Sequence, residues 1–229
     1  MSTSVDILLV DDERIVRKTF RELFEAEGFS VREAKNGEEG VAAFEKERPG
    51  LVLLDVMMPK KNGLQACEEI RARDSSVPIL FLSGVPSETT QLRAYGVGAD
   101  DYIEKDRNPD LIVAKVRATL RRGALAAPPP PVRIRLGATE VDGANLEVSR
   151  AGEICGHLTK TEGDILWILA SARGRTFSTD ELIARLRGEG FACEDAMLYV
   201  HVSNLRRKLG PASPLLVSAR GVGYTLLPN

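Results

Sequence analysis

The pattern of apolar and polar positions divides the chain into two halves of different character. In the first half, short runs that are apolar at every position alternate with amphipathic stretches, and the clearest runs are Ile7 to Val10, Leu51 to Leu54 and Ile79 to Leu82. Continuous apolar runs are typical of parallel strands buried on both faces, and amphipathic stretches are typical of the helices that connect them. The first half is therefore predicted to be a doubly wound α/β domain built on a parallel sheet.

A proline-rich segment separates the two halves. Residues 123–131 read GALAAPPPP, and four consecutive prolines favour a stiff, extended spacer because proline cannot continue a helix. Beyond it the pattern changes to short alternating segments, two helical stretches and a glycine-rich end, VSARGVGYTLL, which is typical of an α+β domain that closes with a hairpin. The predicted organisation is a first domain over residues 1–122, a linker over 123–131 and a second domain over 132–229.

Side chains capable of chemistry directly follow the predicted strands of the first domain. They are Asp11, Asp12, Asp55, Ser83 and Lys105. Ligands of an open α/β sheet bind beyond the carboxyl ends of its strands, so these positions are expected to meet in one pocket. Three carboxylates in one pocket repel one another unless a cation compensates, and hard oxygen ligands favour Mg²⁺. Taken alone, Asp11 and Asp12 are equally well explained as acids that cap the following helix.

The combination of motifs is more specific than any single residue. The sequences VDDE, LLDVMMPKKNG, FLSG and DYIEK occur in this order, and the second matches D-x-x-M-P-x-x-x-G. Through these motifs residues 5–122 resemble the CheY-like receiver family, whose fold is a (βα)5 parallel sheet with helices. The resemblance implies that a sensor histidine kinase phosphorylates Asp55. It also implies a Mg²⁺ site, and its ligands would be Asp11, Asp12, Asp55 and the backbone carbonyl of Met57.

The same resemblance assigns roles to three side chains around the phosphorylated carboxylate. Lys105 would supply a cation to the phosphoryl oxygens, Ser83 would donate a hydrogen bond to the acyl phosphate, and Tyr102 would follow Ser83 inward as the switch. One departure is Asp106, because receivers usually have proline directly after the lysine. Its presence predicts a less firmly placed Lys105.

The end of the first domain resembles the face through which receivers of the OmpR/PhoB type form homodimers. Asp100 and Asp101 offer negative charge on one edge of this face. The following helix offers the basic residues, which are Lys115, Arg117, Arg121 and Arg122. Opposite charges suit a two-fold contact, but a solvent-exposed helix of mixed charge gives the same pattern, so the predicted homodimer depends mainly on the resemblance.

The second domain resembles, over residues 133–228, the winged-helix DNA-binding domain of the OmpR/PhoB family through LTKTEGDILWILA, STDELIARL and SARGVGYTLL. Between the last two motifs, an apolar stripe recurs at helical spacing and comprises Leu198, Val202, Leu205 and Leu209. The opposite face of this helix and the glycine-rich hairpin supply the predicted DNA contacts, which are Val200, His201, Ser203, Asn204, Arg206, Arg207, Lys208 and Arg220. Without the resemblance, a solvated amphipathic helix is the simpler interpretation.

The charge balance weakens the case for DNA binding. Of the 31 basic and 33 acidic residues, 19 and 22 lie within residues 1–122, which leaves 12 and 11 for the rest and makes the second domain nearly neutral. Promoter DNA remains its expected partner, with RNA polymerase as a further one. The alternatives are a signalling adaptor whose second domain binds protein and a regulator that works without phosphate.

The remaining composition excludes other classes of protein. Three widely spaced cysteines, Cys67, Cys155 and Cys193, fit neither a disulfide framework nor a zinc site. No apolar stretch is long enough for a membrane helix and the start MSTSVD lacks the features of a signal peptide, so a cytoplasmic protein without a membrane partner is expected. No second pocket of nucleophile and base is apparent, so no independent enzymatic activity is expected.

Overall fold

The computed structural model describes residues 5–84, 87–124, 133–187, 195–219 and 221–228. The chain forms two compact units, Met1–Leu125 and Ala126–Asn229. The last helix of the first unit continues to Ala124, and residues 125–131 of the predicted linker lie outside the described residues.

A five-stranded parallel sheet forms the centre of the first unit. Its strands are β1 (Ile7–Val10), β2 (Val31–Ala34), β3 (Leu51–Leu54), β4 (Ile79–Ser83) and β5 (Asp101–Glu104), in the order β2-β1-β3-β4-β5. The helices are α1 (Arg14–Ala26), α2 (Gly37–Lys46), α3 (Gly63–Arg73), α4 (Glu88–Gly96) and α5 (Pro109–Ala124). All neighbouring strands pair in parallel, which confirms the predicted doubly wound (βα)5 fold. Because the strand order reverses between β1 and β3, the carboxyl ends of these strands open into a crevice.

The apolar character of the central strands explains their burial on both faces. Every residue of β1 and β3 is at most 1% exposed. On one face of the sheet, Phe20 and Phe24 of α1 stack with ring centroids 6.0 Å apart and belong to the same core as Ile112 of α5. At the start of α3, the side chains of Asn62 and Gln65 each accept a hydrogen bond from the other's backbone N–H. This capping box sets where the loop after Asp55 ends.

The second unit combines two antiparallel sheets with helices. A four-stranded sheet contains β6 (Arg133–Leu136), β7 (Thr139–Asp142), β8 (Glu147–Arg150) and β9 (Glu153–His157) in chain order. The elements that follow are α6 (Lys160–Ala170), β10 (Thr176–Ser178), α7 (Thr179–Arg187), α8 (Asp195–Leu209), a 3₁₀ helix (Gly210–Leu215), β11 (Leu216–Ala219) and β12 (Gly223–Leu226). The last two strands form the predicted terminal hairpin and pair with β10 in the order β10-β12-β11, which confirms the α+β winged-helix fold.

An apolar stripe holds α8 in the core of the second unit. The predicted stripe residues are all at most 2% exposed and pack in one cluster with residues of α6 and both sheets; they are Leu198, Val202, Leu205 and Leu209. The helix α6 begins at a capping box between Thr159 and Glu162. These contacts determine which face of α8 is left exposed.

Candidate functional site

An acidic pocket lies at the carboxyl ends of β1 and β3, where the strand order reverses. Asp11 and Asp55 follow these strands and are buried, with 1% and 5% of their surface exposed, whereas Asp12 is exposed. One carboxylate oxygen from each of the three residues lies within 4.8 Å of the others. The structure therefore brings together three side chains that are widely separated in the sequence.

Lys105 enters this pocket from the end of β5. Its Nζ lies 2.6 Å from Oδ2 of Asp11 and 3.3 Å from Oδ1 of Asp55. Its backbone N–H donates to the carbonyl of Ser83, which fixes the start of the side chain. Burial opposes the charge of Lys105, but the hydrogen bond that Lys105 donates to Asp11 and the charges of both carboxylates outweigh it, so the pKa of Lys105 is raised. Lys105 thus reaches both carboxylates although Asp106, and not proline, follows it.

The electrostatics of Asp55 favour a partner of positive charge. Burial raises the pKa of Asp55 from 3.8 to about 6, Lys105 offsets part of this shift, and repulsion from Asp11 adds to it. A single lysine therefore does not compensate the cluster fully. Two buried carboxylates and one exposed carboxylate form a set of hard oxygen donors open to water on one side, which fits Mg²⁺. Met57 lies in the loop after Asp55 with its side chain exposed, so its carbonyl is the group to consider as a ligand.

Ser83, the last residue of β4, and Tyr102, the second residue of β5, are in contact through their side chains. Ser83 is buried, and the hydroxyl group of Tyr102 is hydrogen bonded to it. Tyr102 is itself buried, and this burial raises the pKa of its hydroxyl group. The predicted switch pair is thus in direct contact.

Gly63 lies so close to the backbone of Asp55 that there is no room for a side chain, and this close approach gives a testable prediction. A Cβ atom at Gly63 would lie 2.0 Å from the carbonyl oxygen of Asp55 and 2.9 Å from the ring of Phe81. We expect Gly63→Ala to lower the free energy of unfolding of the first unit by about 1–3 kcal/mol, because Asp55 and its strand must shift. The predicted phosphorylation of Asp55, with acetyl phosphate as the donor, should slow together with this loss.

Thermal unfolding and phosphate incorporation measure the two effects. Gly96 provides a matched control, since it ends α4 and a Cβ atom there meets nothing within 4 Å. Gly96→Ala should leave both measurements close to those of the unmodified chain. A Gly63→Ala variant as stable and as reactive as Gly96→Ala would show that the close approach to Asp55 is not needed.

The predicted dimer face is corrected by the structure, because its acidic residues and one lysine are used within the chain. Asp100 is buried and accepts hydrogen bonds from Arg71, at 2.7 Å, and from the backbone N–H of Ile79. Asp101 is buried and pairs with Lys115 of α5 at 2.9 Å. The prediction that these three side chains face a second copy is therefore wrong for this unit.

The other basic residues of α5 remain at the surface as far as they are described. Arg117 is exposed, pairs with Glu27, which directly follows α1, and lies 5.9 Å above the ring of Phe29. Arg121 is exposed, and the side chain of Arg122 lies outside the described residues.

The face of α8 that was predicted to contact DNA is also corrected. His201 and Asn204 are only 1% and 7% exposed, so neither side chain can reach a base or a phosphate. Because α8 packs against α6, α7 and β9, its buried face is wider than the apolar stripe alone indicates. Ser203 and Arg207 are exposed as predicted, and Val200 is partly exposed.

Two of the basic residues at the end of α8 bind within the unit. Arg206 donates to the carbonyl of Leu216 at 2.7 Å and to the hydroxyl group of Ser218 at 2.8 Å, which ties the helix to β11. Lys208 pairs at 2.6 Å with Glu162, whose side chain is buried. Both side chains are thus bound within the unit and only partly exposed, and their contact with DNA stays a prediction.

Tyr199 belongs to the exposed face of α8, although it was not among the predicted contacts. It is 63% exposed and precedes Ser203 by one turn, so Tyr199, Ser203 and Arg207 follow one another along the surface. The sequence could have indicated Tyr199, because it lies directly beside the predicted DNA-contacting face of α8. Since His201 and Asn204 are buried, the exposed face of α8 is rotated relative to the predicted one, and Tyr199 lies at its centre. The wing residue Arg220 lies outside the described residues.

Together, the parallel α/β unit with its acidic pocket and lysine and the winged-helix unit define a switch domain followed by a DNA-binding output domain. Residues 7–117 match the response regulator receiver domain family, and residues 153–226 match the family described as transcriptional regulatory protein, C terminal. The chain is 35% identical to the transcriptional regulatory protein CseB of Streptomyces coelicolor over 99% of each chain. It is also 35% identical to CpxR of Klebsiella pneumoniae, over 96% of this chain and 97% of the other.

A solved structure shows the same fold. The response regulator DrrB, a Thermotoga maritima OmpR/PhoB homolog, superposes with a TM-score of 0.51 at 23% identity and covers 99% of this chain and 100% of its own. The chain belongs to the OmpR/PhoB-type family of two-component response regulators and controls transcription. Among the helices of the described residues, none has the length and apolar character needed to cross a bilayer.

Proposed function

We propose that this regulator accepts a phosphoryl group on Asp55 from a sensor histidine kinase and then binds promoter DNA as a homodimer in the bacterial cytoplasm. The observation that carries the proposal is the pocket in which Asp11, Asp12 and Asp55 meet Lys105. An oxygen of Asp55 attacks the phosphorus atom, and the P–N bond to the histidine of the kinase breaks as the acyl phosphate forms.

The pocket has the donors for a Mg²⁺ ion. Asp11, Asp12 and Asp55 would hold it through carboxylate oxygens, with the Met57 carbonyl as a further ligand. A Mg²⁺ ion held there would neutralise charge on the transferring group. Lys105 adds a fixed positive charge near Asp55, within reach of phosphoryl oxygens attached to that residue. Asp11 contributes twice, because it supplies donor atoms and orients Lys105.

Ser83 and Tyr102 provide the route by which phosphorylation changes the surface. The Ser83 hydroxyl group would donate a hydrogen bond to the acyl phosphate, and its contact with Tyr102 would change as it does so. Since Tyr102 lies on β5, the change is passed toward the edge of the sheet next to α4 and α5. Exposed Leu92 of α4 and Arg117 and Arg121 of α5 would then contribute to a two-fold contact between receivers.

The output unit would read DNA with the exposed face of α8. Tyr199, Ser203 and Arg207 lie on this face, and Arg206 ties the helix to β11. Few cations on this face imply a modest affinity and a shallow dependence on salt, so that two linked copies on direct repeats bind much better than one. RNA polymerase is the further partner that such a promoter-bound dimer would meet.

One observation favours a second candidate function, a signalling adaptor whose output unit binds protein. Of the three basic residues at the end of α8, Lys208 and Arg206 bind within the unit, whereas Arg207 is exposed. A face with one exposed arginine and an exposed tyrosine is also suitable for a protein partner.

Selection of bound sequences from random DNA distinguishes these functions. The full chain is used with and without beryllofluoride, which mimics the phosphoryl group. We expect direct repeats to be enriched, and only when beryllofluoride is present. Enrichment to the same extent in both states would instead identify a regulator independent of phosphate, and no DNA retention even at low salt would identify the adaptor.

A further inference from the structure

Arg17 lies one turn into α1, and its side chain points back to the loop that carries two of the proposed metal ligands. Its Nη1 atom donates hydrogen bonds to the carbonyl oxygens of Asp11, at 2.7 Å, and of Asp12, at 3.0 Å. Only 15% of the side chain is exposed. On its other side, Nε lies 4.0 Å from Oε1 of Glu33 on β2. Arg17 therefore connects α1, β2 and the loop after β1.

The loop itself is short and has few other constraints. The backbone N–H of Asp11 donates to the carbonyl of Ala34, and the N–H of Glu13 donates to Oδ1 of Asp11 at 2.8 Å. The carbonyl of Asp12, whose side chain is exposed, is held by Arg17. The direction in which the Asp12 carboxylate leaves the backbone thus depends on Arg17.

We propose that Arg17 is a positioning residue for the divalent cation site, acting on the carboxylates of Asp11 and Asp12 through the backbone to which it is bonded. This inference rests on the proposed function, since it presupposes that the pocket binds Mg²⁺. Arg17 itself touches neither the cation nor the phosphoryl group. Residues that orient the ligands of a metal ion typically change its affinity 10- to 100-fold when they are replaced.

Arg17 has two opposing effects on cation binding. The larger of the two decides whether removal of Arg17 weakens or strengthens binding. Its positive charge repels a cation in the nearby pocket, which would make removal of Arg17 strengthen binding. Glu33 carries the opposite charge and lies close to the same guanidinium group, so much of that repulsion is cancelled. The hydrogen bonds to two carbonyls remain, and hydrogen bonds from a charged donor are among the stronger ones in proteins. Removal of Arg17 should therefore weaken cation binding.

Arg21 provides a matched control. It lies one turn further along α1 and binds the same Glu33, at 2.8 Å, but it forms a further ion pair with Glu25 and not with the loop. Arg17→Met and Arg21→Met remove the same charge from the same helix. Only the first removes the bonds to the carbonyls of Asp11 and Asp12.

The test is calorimetric titration of the full chain with Mg²⁺ alone, together with the melting temperature measured in the absence of Mg²⁺. We expect the dissociation constant for Mg²⁺ to rise about tenfold in Arg17→Met and less than twofold in Arg21→Met. Arg17→Lys retains one donor group and should give an intermediate value. If Arg17→Met fails to fold, the comparison of Arg17→Lys with Arg21→Met decides, and a rise confined to Arg17→Lys supports the proposal.

Several outcomes would overturn it. Unchanged or tighter Mg²⁺ binding in a folded Arg17→Met chain would show that the bonds to the loop do not position the ligands. Equal weakening in Arg21→Met would assign the effect to charge or to general stability. An unmodified chain that binds no Mg²⁺ would instead refute the proposed cation site itself, which keeps the two failures apart.

Discussion

Replacement of Asp55 by asparagine is expected to abolish phosphate incorporation from acetyl phosphate, with a loss of about 1,000-fold or more. The amide has no anionic oxygen to attack phosphorus, and no other carboxylate takes its place. Asp11 is buried and bound to Lys105, and Asp12 is on the exposed side of the cluster. Loss of a nucleophile removes the covalent step itself, so the effect exceeds that of any residue that only positions it.

The same substitution should raise the melting temperature of the first unit in buffer without Mg²⁺. Folding raises the pKa of Asp55 from 3.8 to about 6, chiefly by burial. A carboxyl group with a raised pKa is favoured when protonated, so its ionisation costs stability as the pH rises from about 4 to about 6, and the cost is complete above that range. The stability advantage of Asp55→Asn should therefore grow over this interval and be largest near pH 7.

Radiolabelled acetyl phosphate and a series of melting temperatures from pH 4.5 to 7.5 measure both effects. Glu13→Gln is the control, since Glu13 lies beside the pocket and 3.8 Å from Lys105 but outside the three-carboxylate cluster. It should retain incorporation. Undiminished labelling of Asp55→Asn would place the phosphoryl group elsewhere, and a stability difference independent of pH would contradict the raised pKa.

The acidic pocket could be predicted from sequence because parallel strands align their carboxyl ends. The runs Ile7 to Val10 and Leu51 to Leu54 are strands with these same bounds, so the residues that follow them had to meet. The position of the residue after such a strand is set by the sheet and does not depend on how the helices pack. Lys105 is held there by its backbone bond to Ser83 and by both carboxylates, which explains why Asp106 does not displace it.

The dimer face and the DNA-contacting face could not be predicted in the same way, because the residue that pairs with a charged side chain often lies far away in the sequence. Asp100 is buried by Arg71, which stands 29 positions earlier, and Glu162 binds Lys208 from 46 positions away. In the sequence all four are ordinary surface charges. Likewise, the apolar residues of α8 predict a single buried stripe. In the structure α8 packs against three elements, and this packing also buries His201.

The corrected face of α8 predicts which substitutions reduce DNA binding. Arg207 is its exposed cation, and Tyr199 its large exposed side chain. An arginine contact to a base contributes about 1–3 kcal/mol, and a tyrosine hydroxyl group can add a hydrogen bond to a phosphate oxygen. The double variant Tyr199→Ala/Arg207→Ala should therefore bind a selected direct repeat about 100-fold more weakly. Arg207→Ala alone should reduce the slope of log affinity against log salt by about one per copy bound.

Fluorescence anisotropy of labelled DNA with the beryllofluoride-treated full chain measures these changes, and the emission of Trp167, the single tryptophan, reports whether the second unit is folded. Arg135→Ala is the matched control, because it removes an exposed cation of β6, away from α8. Asn204→Ala separates the two versions of the interface. If Asn204 is internal, its replacement lowers the melting temperature of the second unit and leaves the affinity of the folded protein unchanged. A tenfold weaker complex at an unchanged melting temperature would show that Asn204, and not Tyr199, lies on the face that contacts DNA.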